Sequence, residues 1–221
     1  MINPCRALPK PCLSAGKRMA ALGIFLSGFL GQVQAAAILV VDQTGAPLED
    51  AVIELVSPEA ASVTTTAGTM TQQGLLFVPY VLAVKAGTAV EFPNKDKTRH
   101  HVYSFSESKV FELKLYAGKP EKPVVFDKPG IVVLGCNIHD HMQAYVYVGT
   151  SALLAVTNAQ GQAEFSKLPS GNATLKVWHP WQSSPIAEQQ VNLSALPTTL
   201  TLPITPAEKP KAPKRGFGQS Y

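Results

Sequence analysis

Beyond residue 35 the chain carries no sustained apolar stripe of helical period, only short runs in which apolar and polar residues alternate. Alternation puts every second side chain on one face of a pleated strand, so it selects for sheets with one buried side. The runs at 111–115 (FELKL), 144–148 (AYVYV) and 175–177 (LKV) have this form, and 131–134 (IVVL) is a β-branched block. Turns bearing glycine or proline at 44–47, 117–120, 158–161 and 169–171 punctuate them. With charged residues at only 15 % of the chain, the pattern predicts an all-β sandwich architecture.

Residues 1–35 have a different character. Lys17 and Arg18 precede an apolar block at 19–30 that is shorter than the roughly 20 residues a membrane span requires. The block ends in small residues suited to cleavage after Ala35, with Ala36 or Ala37 as neighbouring alternatives. The segment therefore reads as a signal peptide, and the expected location is the periplasm, with no stable membrane insertion after cleavage. The leader holds four of the 19 basic residues and none of the 15 acidic ones, so the formal charge of +4 belongs to it and the remainder is balanced. Residues 204–221, rich in proline and lysine, read as a disordered basic tail. No basic patch interleaved with aromatics suggests nucleic-acid binding. Cleavage also removes Cys5 and Cys12 and leaves Cys136 alone in an oxidising compartment, where a single thiol is buried, bonded to another chain, reactive or metal-bound.

The surroundings of Cys136 favour the metal. Residues 135–142 (GCNIHDHM) gather a thiol, two imidazoles and a thioether between two strand-like runs. If 136–142 link antiparallel strands, a segment able to stretch about 20 Å has its ends only about 5 Å apart. Cys136, Met142 and His139 at the loop tip then converge. A histidine from a neighbouring strand completes the set, and the pair His100 and His101 follows such a strand; pleating lets only one of the two point inward. Two imidazoles, a thiolate and a weak thioether form the ligand set of a blue-copper electron-transfer site.

The spacing Cys136-x-x-His139-x-x-Met142 resembles the ligand loop of the small cupredoxins, amicyanin above all. The segment 90–100 (VEFPNKDKTRH) is similar to the strand that carries the first ligand there, with Asn94 six residues before His100. The runs 99–105 (RHHVYSF) and 135–140 (GCNIHD) resemble longer periplasmic cupredoxin-domain proteins labelled methylamine-utilisation proteins. The resemblance covers residues 67–149 and implies a cupredoxin Greek-key sandwich. It implies His100, Cys136 and His139 as equatorial ligands and Met142 as axial ligand of one type 1 copper ion. It implies a carrier of single electrons, not an enzyme, whose partner is a redox protein such as a cytochrome c or a periplasmic dehydrogenase. Arg99 stands where the family usually has proline and His101 where it usually has asparagine, so both histidines remain candidates for the first ligand. By the same analogy, His101 and Asn137 support the ligand loop.

On either side, 37–56 and 157–178 resemble parts of the carboxypeptidase-regulatory, transthyretin-like sandwich. That implies a smaller sandwich built from 36–58 and 151–203, with the cupredoxin segment inserted; a tandem arrangement fits the same pattern. Two other functions suit these residues: a copper carrier or chaperone with a looser site, and a structural β-sandwich with a degenerate metal loop. A multicopper enzyme lacks its His-Cys-His run, and a cysteine–histidine hydrolase lacks an orienting group. His141 reads as a loop-surface residue, His179 as a turn residue, and Asp96 and Asp140 as solvated loop residues.

Overall fold

The computed structural model describes residues 36–58, 67–196 and 199–213, and over them the chain is all-β. The signal peptide expected at 1–35 lies outside the described residues. Seventeen strands follow in order: β1 Ala36–Val41, β2 Val52–Val56, β3 Gly68–Thr69, β4 Thr71–Gln72, β5 Phe77–Val78, β6 Val81–Lys85, β7 Thr88–Glu91, β8 His100–Ser106 and β9 Lys109–Tyr116. After these come β10 Val124–Phe126, β11 Gly130–Gly135, β12 Gln143–Gly149, β13 Leu154–Val156, β14 Gln162–Phe165, β15 Asn172–Trp178, β16 Gln189–Asn192 and β17 Thr199–Thr201. No helix among the described residues is long and apolar enough to cross a membrane.

Two cores organise the strands. The first lies between the sheet β14-β1-β17 and the sheet β13-β2-β15-β16, and is filled by Ile38, Val40, Ile53, Leu55, Phe165 and Leu175 among others. Strands before residue 58 pair here with strands after residue 151: β1 runs antiparallel to β14 and parallel to β17, and β2 lies between β13 and β15. The second core lies between β10-β7-β3 and the five-stranded sheet β6-β12-β11-β8-β9, around Phe92, Val102, Phe126, Leu134 and Val146. Alternation decides which side chains enter. In β12, Ala144, Val146 and Val148 are buried, while Tyr145 and Tyr147 face outward to meet Trp178 of β15 at ring separations of 5.5 and 6.1 Å.

A buried carboxylate joins the two halves. Glu54 of β2 is 2 % exposed, and its Oε2 accepts from the Tyr147 hydroxyl at 2.7 Å. Its Oε1 accepts from the Thr150 amide at 2.6 Å, the Thr150 hydroxyl at 2.9 Å and the Ser151 amide at 2.8 Å. These bonds fasten β2 to the chain leaving β12.

The basic tail departs from expectation as far as it is described. Parallel pairing of β17 with β1 delivers Leu202 and Ile204 into the first core, where both are buried. Farther on, Lys209 Nζ lies 2.5 Å from carboxylate oxygens of both Glu49 and Asp50, and 5.8 Å from the ring centre of Tyr80. Apolar burial and a paired cation hold a segment that composition alone marks as solvated.

Candidate metal centre

The antiparallel pairing of β11 with β12 sets Gly135 opposite Gln143, so Cys136 and Met142 stand next to one another where the hairpin opens. Both are buried in the second core. Residues 137–141 close the loop: the Met142 amide donates to the His139 carbonyl at 2.8 Å and the Gln143 amide to the His141 carbonyl at 3.1 Å. These turns point His139, which is half-buried, back toward the sulfur. Its Nδ1 lies 3.9 Å from Cys136 Sγ.

His100 arrives from β8, the neighbour of β11 on its other side. Its ring is fully buried and stands 5.0 Å from that of His139. One ligand atom from each of His100, Cys136 and His139 lies within 4.8 Å of the others. Ions bound by sulfur at about 2.3 Å and nitrogen at about 2.0 Å place those donors roughly 3.5–4 Å apart. The three side chains could hold one metal ion after small adjustments of their rings. His100 Nδ1 is also buried without a hydrogen-bond partner, a costly condition that a bound ion relieves.

The loop before β8 fixes His100. Asn94 is buried; its Nδ2 donates to the carbonyls of Thr98 at 2.8 Å and Tyr116 at 3.0 Å, and its Oδ1 accepts from the Asp96 amide at 2.9 Å. Asp96 in turn holds His100 Nε2 at 2.9 Å and accepts from the amides of Gly74 at 2.7 Å and Leu75 at 3.0 Å. It is thus not the solvated loop residue its sequence context suggests. Three donors converge on its carboxylate because the segment 73–75 folds over the 94–98 loop. The hydrogen bond to Nε2 leaves Nδ1 of the neutral ring as the lone-pair donor, facing inward. The i,i+4 spacing of Asp96 and His100 is the one trace of this pairing in the sequence.

His101 takes the opposite side of β8. Both adjacent histidines are buried, whereas pleating alone predicts one inward and one exposed. The register between β8 and β9 shifts between His100 and Val102, and His101 lies under cover with Nε2 2.8 Å from Glu112 Oε1 and its ring 5.5 Å from Tyr103. The structure brings His100, not His101, to Cys136. Asn137 is exposed, His141 is half-buried with Nε2 3.0 Å from the Leu75 carbonyl, and Asp140 is exposed. His179 lies in a turn away from the centre and is fully buried.

Electrostatics favours the ligating form at Cys136 and His139. Burial raises the Cys136 thiol, but the His100 ring and the backbone amides of Ile138 and His101 together pull it below the ordinary thiol value. Burial disfavours the cation at His100, yet the Cys136 sulfur and the Asp96 carboxylate outweigh it and the net shift is upward. His139 is shifted downward by burial and by the two neighbouring imidazoles, which keeps it neutral. A thiol held toward thiolate beside the neutral nitrogen of His139 suits a borderline or soft transition metal, whereas the upward shift at His100 favours a proton that an ion must displace.

No protein-family model and no curated protein matches the chain. Solved structures that it resembles include a copper-containing nitrite reductase from Thermus scotoductus SA-01, at 24 % identity over 50 % of this chain with a TM-score of 0.37. The chain spans 28 % of that reductase. A purple cupredoxin from Nitrosopumilus maritimus is similar at 20 % identity, covering 37 % of this chain and 99 % of its own, with a TM-score of 0.33. Amicyanin from Paracoccus versutus is similar at 17 % identity, covering 46 % of this chain and 100 % of its own, with a TM-score of 0.33.

Proposed function

We propose that this chain is a periplasmic type 1 copper protein that carries single electrons between redox partners, with His100, Cys136 and His139 as equatorial ligands and Met142 as the axial thioether. The supporting observation is the meeting within 4.8 Å of ligand atoms from His100 of β8 and from Cys136 and His139 of the β11–β12 loop, with the buried His100 Nδ1 lacking a hydrogen-bond partner. When bound there, copper supplies a centre that alternates between two valences. The chain supplies rigidity. Asn94 and Asp96 hold His100, the β11–β12 hairpin holds Cys136 and Met142, and the apolar second core excludes water. Side chains fixed in this way reorganise little when the charge at the centre changes. His139, the least buried of the three, offers a partner the shortest approach.

In this reading the leader is removed on export and residues 67–149 form a cupredoxin domain of the methylamine-utilisation type. Residues 36–58 and 151–203 form one carboxypeptidase-regulatory-like module, and the chain has no catalytic residues of its own. A cytochrome c or a periplasmic dehydrogenase is the class of partner that such a carrier serves. The test is a visible spectrum. The chain reconstituted with Cu(II) is expected to show intense thiolate-to-copper colour, and Cys136→Ser to abolish it. Colourless protein that retains stoichiometric zinc against copper would sink the proposal, because a thiolate and two imidazoles also suit zinc.

A further inference from the structure

The loop that leads into β8 covers a carboxylate and exposes three cations. Asp96 and Thr98 are partly covered and His100 is buried, whereas Lys95, Lys97 and Arg99 are exposed, so the pleat of β8 continues back into the loop. Among the described residues no lysine or arginine pairs with Asp96; its ion-pair partner is the His100 ring, 2.9 Å away. The Asp96 side chain is only 16 % exposed, and its remaining bonds come from the uncharged amides of Gly74 and Leu75. Its negative charge is therefore neither cancelled by a fixed cation nor strongly screened by water.

The adjacent histidine provides a contrast within the same strand. His101 Nε2 meets Glu112 Oε1 at 2.8 Å, a similar contact, but the Glu112 side chain is 55 % exposed and its charge is spread into solvent. Only the Asp96 carboxylate is joined through a ring to the candidate centre: it holds His100 Nε2, and Nδ1 on the other side of the ring is buried without a partner. As ligands both imidazoles are neutral. The Cys136 thiolate and the Asp96 carboxylate then give the site two negative charges, at the edge of an apolar core. A divalent ion brings the sum to zero. A monovalent ion leaves one negative charge uncompensated where burial makes that costly.

We propose that Asp96 selects the valence of the bound ion: acting through the His100 ring, its carboxylate favours divalent ions over copper(I) and lowers the reduction potential of the centre. Asp96 is a positioning residue that also contributes charge. The inference rests on the electron-carrier reading above and adds a consequence for the partner. Reduction takes one electron from a redox protein, which is itself oxidised, and no bond or proton moves. A donor to this chain has to supply that electron against the uncompensated charge, so it is a stronger reductant than a site without Asp96 requires.

The test uses the full chain and Asp96→Asn, which removes the charge and keeps the shape. The amide oxygen takes the place of the oxygen that meets both His100 Nε2 and the Leu75 amide; the amide nitrogen falls opposite the Gly74 amide, which is exposed and can turn to water. Affinities for zinc(II) and for copper(I) are measured separately by chelator competition. In Asp96→Asn the zinc(II) affinity is expected to fall about tenfold with copper(I) affinity unchanged, and in Glu112→Gln neither is expected to move. In the copper-loaded chain the same tenfold change in the ratio of Cu(II) to Cu(I) affinity raises the reduction potential by about 59 mV, with the thiolate-to-copper colour retained. Equal losses for both ions overturn the proposal, since Asp96 then only orients the ring, and so does no loss for either. An equal shift in Glu112→Gln overturns it as well, because any nearby carboxylate then has the effect. Absence of colour in the parent chain removes the electron-carrier reading, and the zinc(II)-to-copper(I) ratio still decides the role of Asp96.

Discussion

Asp96 is the residue on which the orientation of His100 turns. Its carboxylate accepts hydrogen bonds from His100 Nε2 and from two backbone amides, and its own amide donates to Asn94 Oδ1. Removing it frees the imidazole to rotate or change tautomer. Asp96→Ala is expected to weaken metal binding about 10- to 100-fold, measured by chelator competition, with Asp96→Asn intermediate because an amide oxygen still accepts from the ring. Equal affinities in all three proteins would show that the contact is incidental. Spacing marked Cys136, His139 and Met142 as candidates and left His100 and His101 as alternatives; it did not mark Asp96. A spacing pattern identifies side chains that meet through the chain's own local geometry, whereas the worth of Asp96 comes from segment 73–75 folding over it.

At the level of elements, the strand periods were readable but the departures from them were not. A register shift between β8 and β9 lets both His100 and His101 be buried on opposite sides of one strand, which no period-two pattern contains. β2 presents the same problem. Its run of buried residues includes Glu54, and the acid is tolerated because four donors from Tyr147, Thr150 and Ser151 surround it. Glu54→Ala strands those donors and is expected to cost roughly 2–4 kcal/mol in urea denaturation. Glu54→Gln keeps an oxygen for the Thr150 and Ser151 donors, and its new amide can donate to the Tyr147 hydroxyl, which turns to accept. The expected loss is about 1 kcal/mol or less. Indistinguishable Ala and Gln variants would mean that the clamp contributes packing alone.

Across the whole molecule, the stability of the first core should depend on pH through His179. The ring donates from Nε2 to the Glu49 carbonyl at 3.0 Å and accepts at Nδ1 from the Trp181 amide at 3.2 Å, so only the neutral form is satisfied. Burial, and then the nearby Lys209 charge, outweigh the Glu49 carbonyl and lower its pKa. A histidine with a depressed folded-state value binds fewer protons when native than when unfolded. Its stabilisation is complete above about pH 6.5 and is lost as pH falls through the folded value. The midpoint of urea unfolding should therefore fall between pH 7.5 and 5 more steeply than in His179→Asn. Parallel profiles would remove His179 from the balance.

Taken alone, the sequence determined the all-β class, the short strands and the loop that gathers Cys136, His139 and Met142, because pleat periodicity and hairpin closure act over a few residues. Only the tertiary structure decided which of two adjacent histidines reaches the cysteine, that Asp96 and Asn94 hold it there, and that Leu202 and Ile204 near the end of the chain share a core with β1 near its start. Each of those outcomes depends on contacts between segments tens to more than a hundred residues apart. The energies that select among such contacts come from burial and from satisfying polar groups once the layers have met, and no local pattern carries them.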